Sequence, residues 1–141
     1  MIINKYLKCW ENLNPENISE LINCLDTKFY FLDPFVELND KDSFNRHLLK
    51  ILEKHKKLKF KIIFKIKSVD GYLIKWNFKV ENSFVKPFSG ISEIKTKEGL
   101  IISHIDYWDP VRNIYTHIPF LGKIFKLLKW LNSNKSNRHD T

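Results

Sequence analysis

Glycine and proline are scarce in this chain of 141 residues, with four and five occurrences. That scarcity argues against extended disorder and against a loop-rich all-β domain. Cysteine is scarcer still: Cys9 and Cys24 are the only two. Both fall in an N-terminal helical region without metal-ligand spacing, so buried, reduced thiols in the cytoplasm are expected. No run approaches the ~20 apolar residues needed to cross a bilayer. The opening Met1-Ile2-Ile3-Asn4-Lys5-Tyr6 turns polar too early for a secretion leader. Arginine forms no cluster either. The net charge is +8, but Lys59, Lys61, Lys65 and Lys67 alternate along one segment and read as a solvated surface. No recognition motif accompanies them, so nucleic acid is not an expected partner. His47 and His55 lack a carboxylate at metal-site spacing, and no metal or other cofactor is expected.

What is abundant is aromatic: eleven Phe and four Trp, enough for a large apolar interior in a single domain. Ile2, Ile3, Tyr6, Cys9, Trp10 and Leu13 recur at helical spacing, which predicts a first helix ending near Asn14-Pro15. A second is predicted with Asn14 as cap and Pro15 at its first position, its apolar face being Ile18, Leu21, Ile22 and Leu25. Lys28 to Leu32 reads as a short aromatic strand ended by Asp33-Pro34. Asn39 to Asp42 offers caps for a third helix, with Phe44, Leu48, Leu49, Ile51 and Leu52 as its buried stripe.

The period then changes from helical to alternating. Phe60, Ile62, Phe64 and Ile66 share one strand face, and Asp70-Gly71 predicts a two-residue hairpin turn. Tyr72, Ile74, Trp76, Phe78 and Val80 alternate with polar residues. Phe88 to Thr96 is the next strand, where Gly90 suits a bulge or a close approach. Lys97-Glu98-Gly99 turns into a last strand, Leu100 to Trp108. Helices first and an antiparallel meander afterwards is an α+β plan.

The last strand carries the chemistry. Alternation puts Ile102, His104, Asp106 and Trp108 on one face and Ile101, Ser103, Ile105 and Tyr107 on the other. His104 and Asp106 would stand about 6.6 Å apart along the strand. A carboxylate and an imidazole among large apolar groups must either pair or line a cavity. Asp109-Pro110, outside the alternation, reads as a turn.

Paired N-terminal helices, a strand ending Asp33-Pro34-Phe35, a third helix, a Trp76-bearing meander and the final His104-x-Asp106-Tyr107-Trp108-Asp109 resemble the nuclear transport factor 2-like superfamily. Within it the chain is most similar to the SnoaL-like, ketosteroid-isomerase-related proteins of bacteria. Tyr115-x-x-Ile118-Pro119-x-Leu121-Gly122 and the basic segment after it resemble the tail of one such group. The resemblance implies a cone-shaped, cystatin-like fold, a curved antiparallel sheet wrapped on N-terminal helices around an apolar pocket. It spans residues 1–118 as the SnoaL-like domain, with 119–131 as its C-terminal helix and 132–141 as a polar tail.

The resemblance also implies roles. Asp33, followed by proline, matches the position of the isomerase base. The isomerase's oxyanion donors fall on about Cys9 or Trp10 and on Ile91, which cannot reproduce them, so steroid isomerisation is not expected. Asp106 is the counterpart of the strand aspartate of the polyketide cyclase branch, with His104 placed to tune its proton. Tyr30, Phe35, Trp76, Phe78 and Trp108 are the expected pocket wall. Two function classes follow: isomerase, cyclase or hydratase chemistry by Asp106, His104 and Asp33 on a small apolar molecule, or a non-catalytic ligand binder or dimeric scaffold. A homodimer is expected. Phe120, Ile124, Leu127, Leu128 and Leu131 form an apolar face opposite Lys123, Lys126 and Lys129. That helix is expected to dock on its own domain, with membrane-surface contact through Pro119 to Leu131 not favoured.

Overall fold

The computed structural model describes residues 1–55, 57–115 and 119–136. In chain order the elements are α1 (Ile2–Glu11), α2 (Ile18–Ile22), β1 (Leu25–Leu32), β2 (Glu37–Leu38), α3 (Lys41–Lys54), β3 (Leu58–Lys67), β4 (Gly71–Val80), β5 (Phe88–Lys97), β6 (Leu100–Tyr107), α4 (Pro110–Asn113) and α5 (Pro119–Ser136). Two compact units result: Met1–Asn82 with Pro87–Trp108, and Ser83–Lys86 with the chain from Asp109 onward.

The first unit is a mixed α+β structure with a curved six-stranded sheet in the order β2-β1-β6-β5-β4-β3. The meander β3 to β6 is antiparallel, but β1 lies parallel to β6. Apolar side chains of α1 (Ile3, Tyr6, Leu7), α2 (Ile18, Leu21, Ile22) and α3 (Phe44, Leu48, Leu52) form one core with Phe29, Phe31, Ile74, Trp76, Ile94 and Ile101 of the sheet. Each large side chain buried there contributes about 1.5–3 kcal/mol before chain entropy is set against it.

Local chemistry fixes the boundaries. Asp40 caps α3, its side chain accepting from Ser43 N at 2.8 Å. Asp109 is a turn residue in the same sense: its carboxylate accepts from Arg112 N at 2.9 Å and caps α4. The second helix starts later than its sequence suggests. Asn14 Oδ1 accepts from Glu16 N and Asn17 N, so the Asn-Pro step makes a turn and α2 begins only at Ile18.

Three sequence expectations shift by a single residue. Ser68 N donates to Gly71 O at 2.8 Å, so the β3–β4 turn is Val69-Asp70 rather than Asp70-Gly71. Gly71 is needed for close approach instead: a Cβ there would sit 2.1 Å from the backbone oxygen of Ile94. Glu98 and Gly99, at φ 51° and 75°, form the β5–β6 turn as expected. In β3 the register slips between Ile62 and Phe64. The extra residue, Ile63, turns Phe64 and Ile66 to the outer face beside Lys75 and Leu73, where they are 47% and 53% exposed. A second slip at Ile102 lets Ile101 pair Thr96 and enter the core.

Candidate functional site

The uninterrupted part of the meander places the polar residues. Between the two slips, Trp76 pairs Gly90, Ile74 pairs Ser92, Ser92 pairs Asp106 and Ile94 pairs His104. All of these side chains therefore point to the face that the helices cover. Gly90 is what lets the indole lie flat across β5, because a Cβ there would meet the Trp76 ring at 2.4 Å.

His104 and Asp106 pair directly. His104 Nε2 stands 2.7 Å from Asp106 Oδ1 and 3.0 Å from Ser92 Oγ. Ser92 donates to the same carboxylate oxygen and accepts from Trp76 Nε1 at 2.7 Å. From the opposite side, Tyr6 on α1 reaches His104 Nδ1 at 2.7 Å. An ionised carboxylate only accepts, so the imidazole proton belongs on Nε2, and Nδ1 then accepts the Tyr6 O–H. Burial holds the Tyr6 pKa well above its ordinary value, and the Asp106 charge adds to that, so the hydroxyl keeps its proton. The Trp10 N–H is buried and has no hydrogen-bond partner among the described residues.

The result is a buried chain, Tyr6–His104–Asp106, with Ser92 and Trp76 bracing its acidic end. Asp106 Oδ1 accepts from both His104 and Ser92, whereas Oδ2 takes no hydrogen bond among the described residues. The Asp106 side chain is 16% exposed against 6% for His104, so exposure rises along the chain from Tyr6 to Asp106. Aromatic rings of the same sheet form a connected cluster with Trp76. Phe60 packs on Trp76 and Phe78, Phe78 on Phe88, and Phe88 on Trp108, with centroids 4.9–5.8 Å apart.

The remaining residues singled out from the sequence fall in different places. Trp76 is joined to His104 and Asp106 through Ser92, while Phe78 and Trp108 each pack on Phe88. Phe35 is at the edge, half exposed, with its ring 5.3 Å from Trp108. Asp33 is committed to the β1–β2 turn, Oδ1 accepting from Phe35 N and Val36 N at 2.7 and 2.8 Å. Burial raises its pKa first, the two backbone donors lower it, and the Asp106 charge raises it further. Tyr30 is not in the ring of aromatics. It pairs Ser103 on the outer face, and its hydroxyl donates to Glu37 Oε1 at 3.0 Å.

Sequence reasoning passed over Tyr6 and Ser92. Each left a faint signal: Tyr6 is a hydroxyl centred in a buried helical stripe, and Ser92 sits between Gly90 and Ile94 on an inward column. Among the described residues, no group of three or more His, Cys, Asp or Glu side chains could hold a metal ion.

No protein-family model and no curated protein matches this sequence. Solved structures do. A nuclear transport factor 2-like protein of unknown function from Cytophaga hutchinsonii superposes with a TM-score of 0.63 at 15% identity, over 77% of this chain and 88% of its own. A candidate polyketide cyclase from Sinorhizobium meliloti gives 0.66 at 11% identity, over 75% and 93%. A candidate SnoaL-like isomerase from Agrobacterium tumefaciens gives 0.63 at 14%, over 77% and 94%. At such identities the likeness establishes architecture and not activity. This chain has the nuclear transport factor 2-like, cystatin-type fold.

Proposed function

We propose that this protein binds a small apolar molecule against the aromatic ring of the cone and uses Asp106 as a general acid-base group. The observation that carries the reading is the asymmetry of the carboxylate. Oδ1 is held by His104 and Ser92, whereas Oδ2 takes no hydrogen bond among the described residues, and the proposal seats the ligand between that oxygen and the cluster of Phe78, Phe88 and Trp108. A base fixed in this way meets a carbon acid or hydroxyl without first reorganising. His104 and Tyr6 orient it, and Asp33 adds a second carboxyl at the rim. The chemistry would be proton transfer, as in isomerisation, cyclisation or hydration, with no cofactor in the proposal. Reduced Cys9 and Cys24 fit the cytoplasmic setting that belongs to the same reading.

The test has two arms. 1-Anilinonaphthalene-8-sulfonate should bind saturably at one site per chain, and absence of saturable binding would overturn the pocket. A compound recovered from the purified protein by mass spectrometry should incorporate deuterium from D2O with wild type. Asp106→Asn should bind it equally and leave it unlabelled. Equal labelling by that variant would remove Asp106 from the base role.

A second reading is favoured by the outer face of the sheet. Phe64, Ile66, Leu73, Ile91 and Tyr107 are 39–55% exposed there, with Glu93 and Lys75 beside them. A contiguous apolar patch carrying one charge of each sign suits a second copy of the chain. Sedimentation velocity should find a dimer that Phe64→Lys/Ile66→Lys dissociates; a monomeric wild type at tens of micromolar would end the dimer reading.

A further inference from the structure

The C-terminal helix carries a surface that the pocket reading does not use. Ile124, Leu127, Leu128 and Leu131 of α5 are 42%, 55%, 50% and 44% exposed. At ~100° per residue these four fall within an arc of roughly 100°, and Lys123, Lys126 and Lys129 lie on the opposite side. Trp130, 59% exposed, falls among the lysines. From Pro110 to His139 the chain holds Arg112, Lys123, Lys126, Lys129, Lys135 and Arg138, and no Asp or Glu.

We infer that α5 is a surface-binding helix for an anionic lipid membrane. It lies in the plane of the interface, with its apolar arc in the acyl boundary and its lysines reaching headgroups along their own stems. Two features together select this partner. A stretch with cations only repels a second copy of itself, which removes pairing of two α5 helices as the way to cover the arc. A bare polyanion such as nucleic acid would satisfy the lysines and leave four aliphatic side chains in water. An anionic bilayer supplies both the charge and the apolar phase. Among the described residues, no helix is long and apolar enough to cross a membrane, so the contact is peripheral. Trp130 points away from the inserted arc and takes no part.

The full chain should co-sediment with vesicles of phosphatidylcholine and phosphatidylglycerol at 7:3 in physiological salt, and at least tenfold more weakly with pure phosphatidylcholine. Each lysine near an anionic surface accounts for about fivefold, so Lys123→Gln/Lys126→Gln/Lys129→Gln should weaken binding roughly a hundredfold. Leu127→Asp/Leu128→Asp should abolish it with an unchanged Tm, because these side chains are exposed in the fold, and Trp130→Phe should leave it intact. Wild type that stays in the supernatant, alone or self-associated, overturns the inference. So does a Leu127→Asp/Leu128→Asp variant that pellets like wild type, since binding would then be charge alone. The readout is independent of Asp106 and of the pocket.

Discussion

Tyr6→Phe isolates one link of the buried chain. Tyr6 is 0% and His104 5% exposed, so no solvent replaces a lost partner. Phenylalanine keeps the edge contacts with Trp10 and His104, whose centroids lie 6.2 and 5.8 Å away. What disappears is the donor facing His104 Nδ1 at 2.7 Å. Nε2–H is already committed to Asp106, so Nδ1 keeps a buried lone pair with no partner. A buried acceptor left unsatisfied costs about 1–3 kcal/mol, and the void of one oxygen adds little, so we expect a loss of ~2 kcal/mol. Urea unfolding followed by tryptophan fluorescence should show a lower midpoint with an unchanged slope. In the background of His104→Phe the acceptor is absent, and the same change should cost at least about 1 kcal/mol less. A Tyr6→Phe loss below ~0.5 kcal/mol, the scatter of ordinary surface changes, would refute the hydrogen-bonded chain.

Gly90→Ala should force the Trp76 ring off β5, because the new Cβ would lie 2.4 Å from it. A loss of ~1–3 kcal/mol and a shift in tryptophan emission are expected, and an unchanged spectrum would contradict the packing. Asp33→Asn keeps the Oδ1 acceptor of the turn and removes a carboxylate whose pKa is raised mainly by burial. A raised carboxyl pKa makes the fold bind its proton more tightly than the unfolded chain does. This group's contribution therefore falls as pH rises from the usual aspartate value through the raised one. The variant should gain Tm relative to wild type at pH 7 and lose that gain at pH 3; a constant difference would show that the carboxylate is not perturbed.

The helices, the meander and the His104–Asp106 face were legible because each rests on a local period. Alternation over 72–80 and 102–108 shows which side chains share a face wherever the ladder is unbroken. Tyr6 was invisible for a different reason. Its partner is 98 positions away, and nothing in α1 marks which of its buried residues will meet the sheet opposite a polar atom. Tyr30 illustrates the converse: an aromatic residue in an aromatic strand looks like wall, yet the register with Ser103 sends it outward to Glu37. Composition places a ring near a pocket, and only pairing says on which side of the sheet it stands.

The two slips explain why faces read from sequence succeed in one place and fail in another. A single extra residue reverses every side chain beyond it. At Ile63 it takes Phe64 and Ile66 from the core to the outer patch. At Ile102 it takes Ile101 inward, where its N–H bonds Cys24 O at 2.9 Å and ties β6 to the end of α2. Between those points the register of β4, β5 and β6 runs unbroken from Tyr72–Ile94 to Phe78–Phe88 and from Ile91–Tyr107 to Lys95–Ser103. Trp76, Ser92, His104 and Asp106 all lie inside that window. A polar network that spans three strands needs such a window, because one slip within it would send Ser92 or His104 outward and strand the remaining groups in the core unpaired. The bulges therefore sit at the margins of the network, where they curve the sheet without cutting the chain from Tyr6 to Asp106.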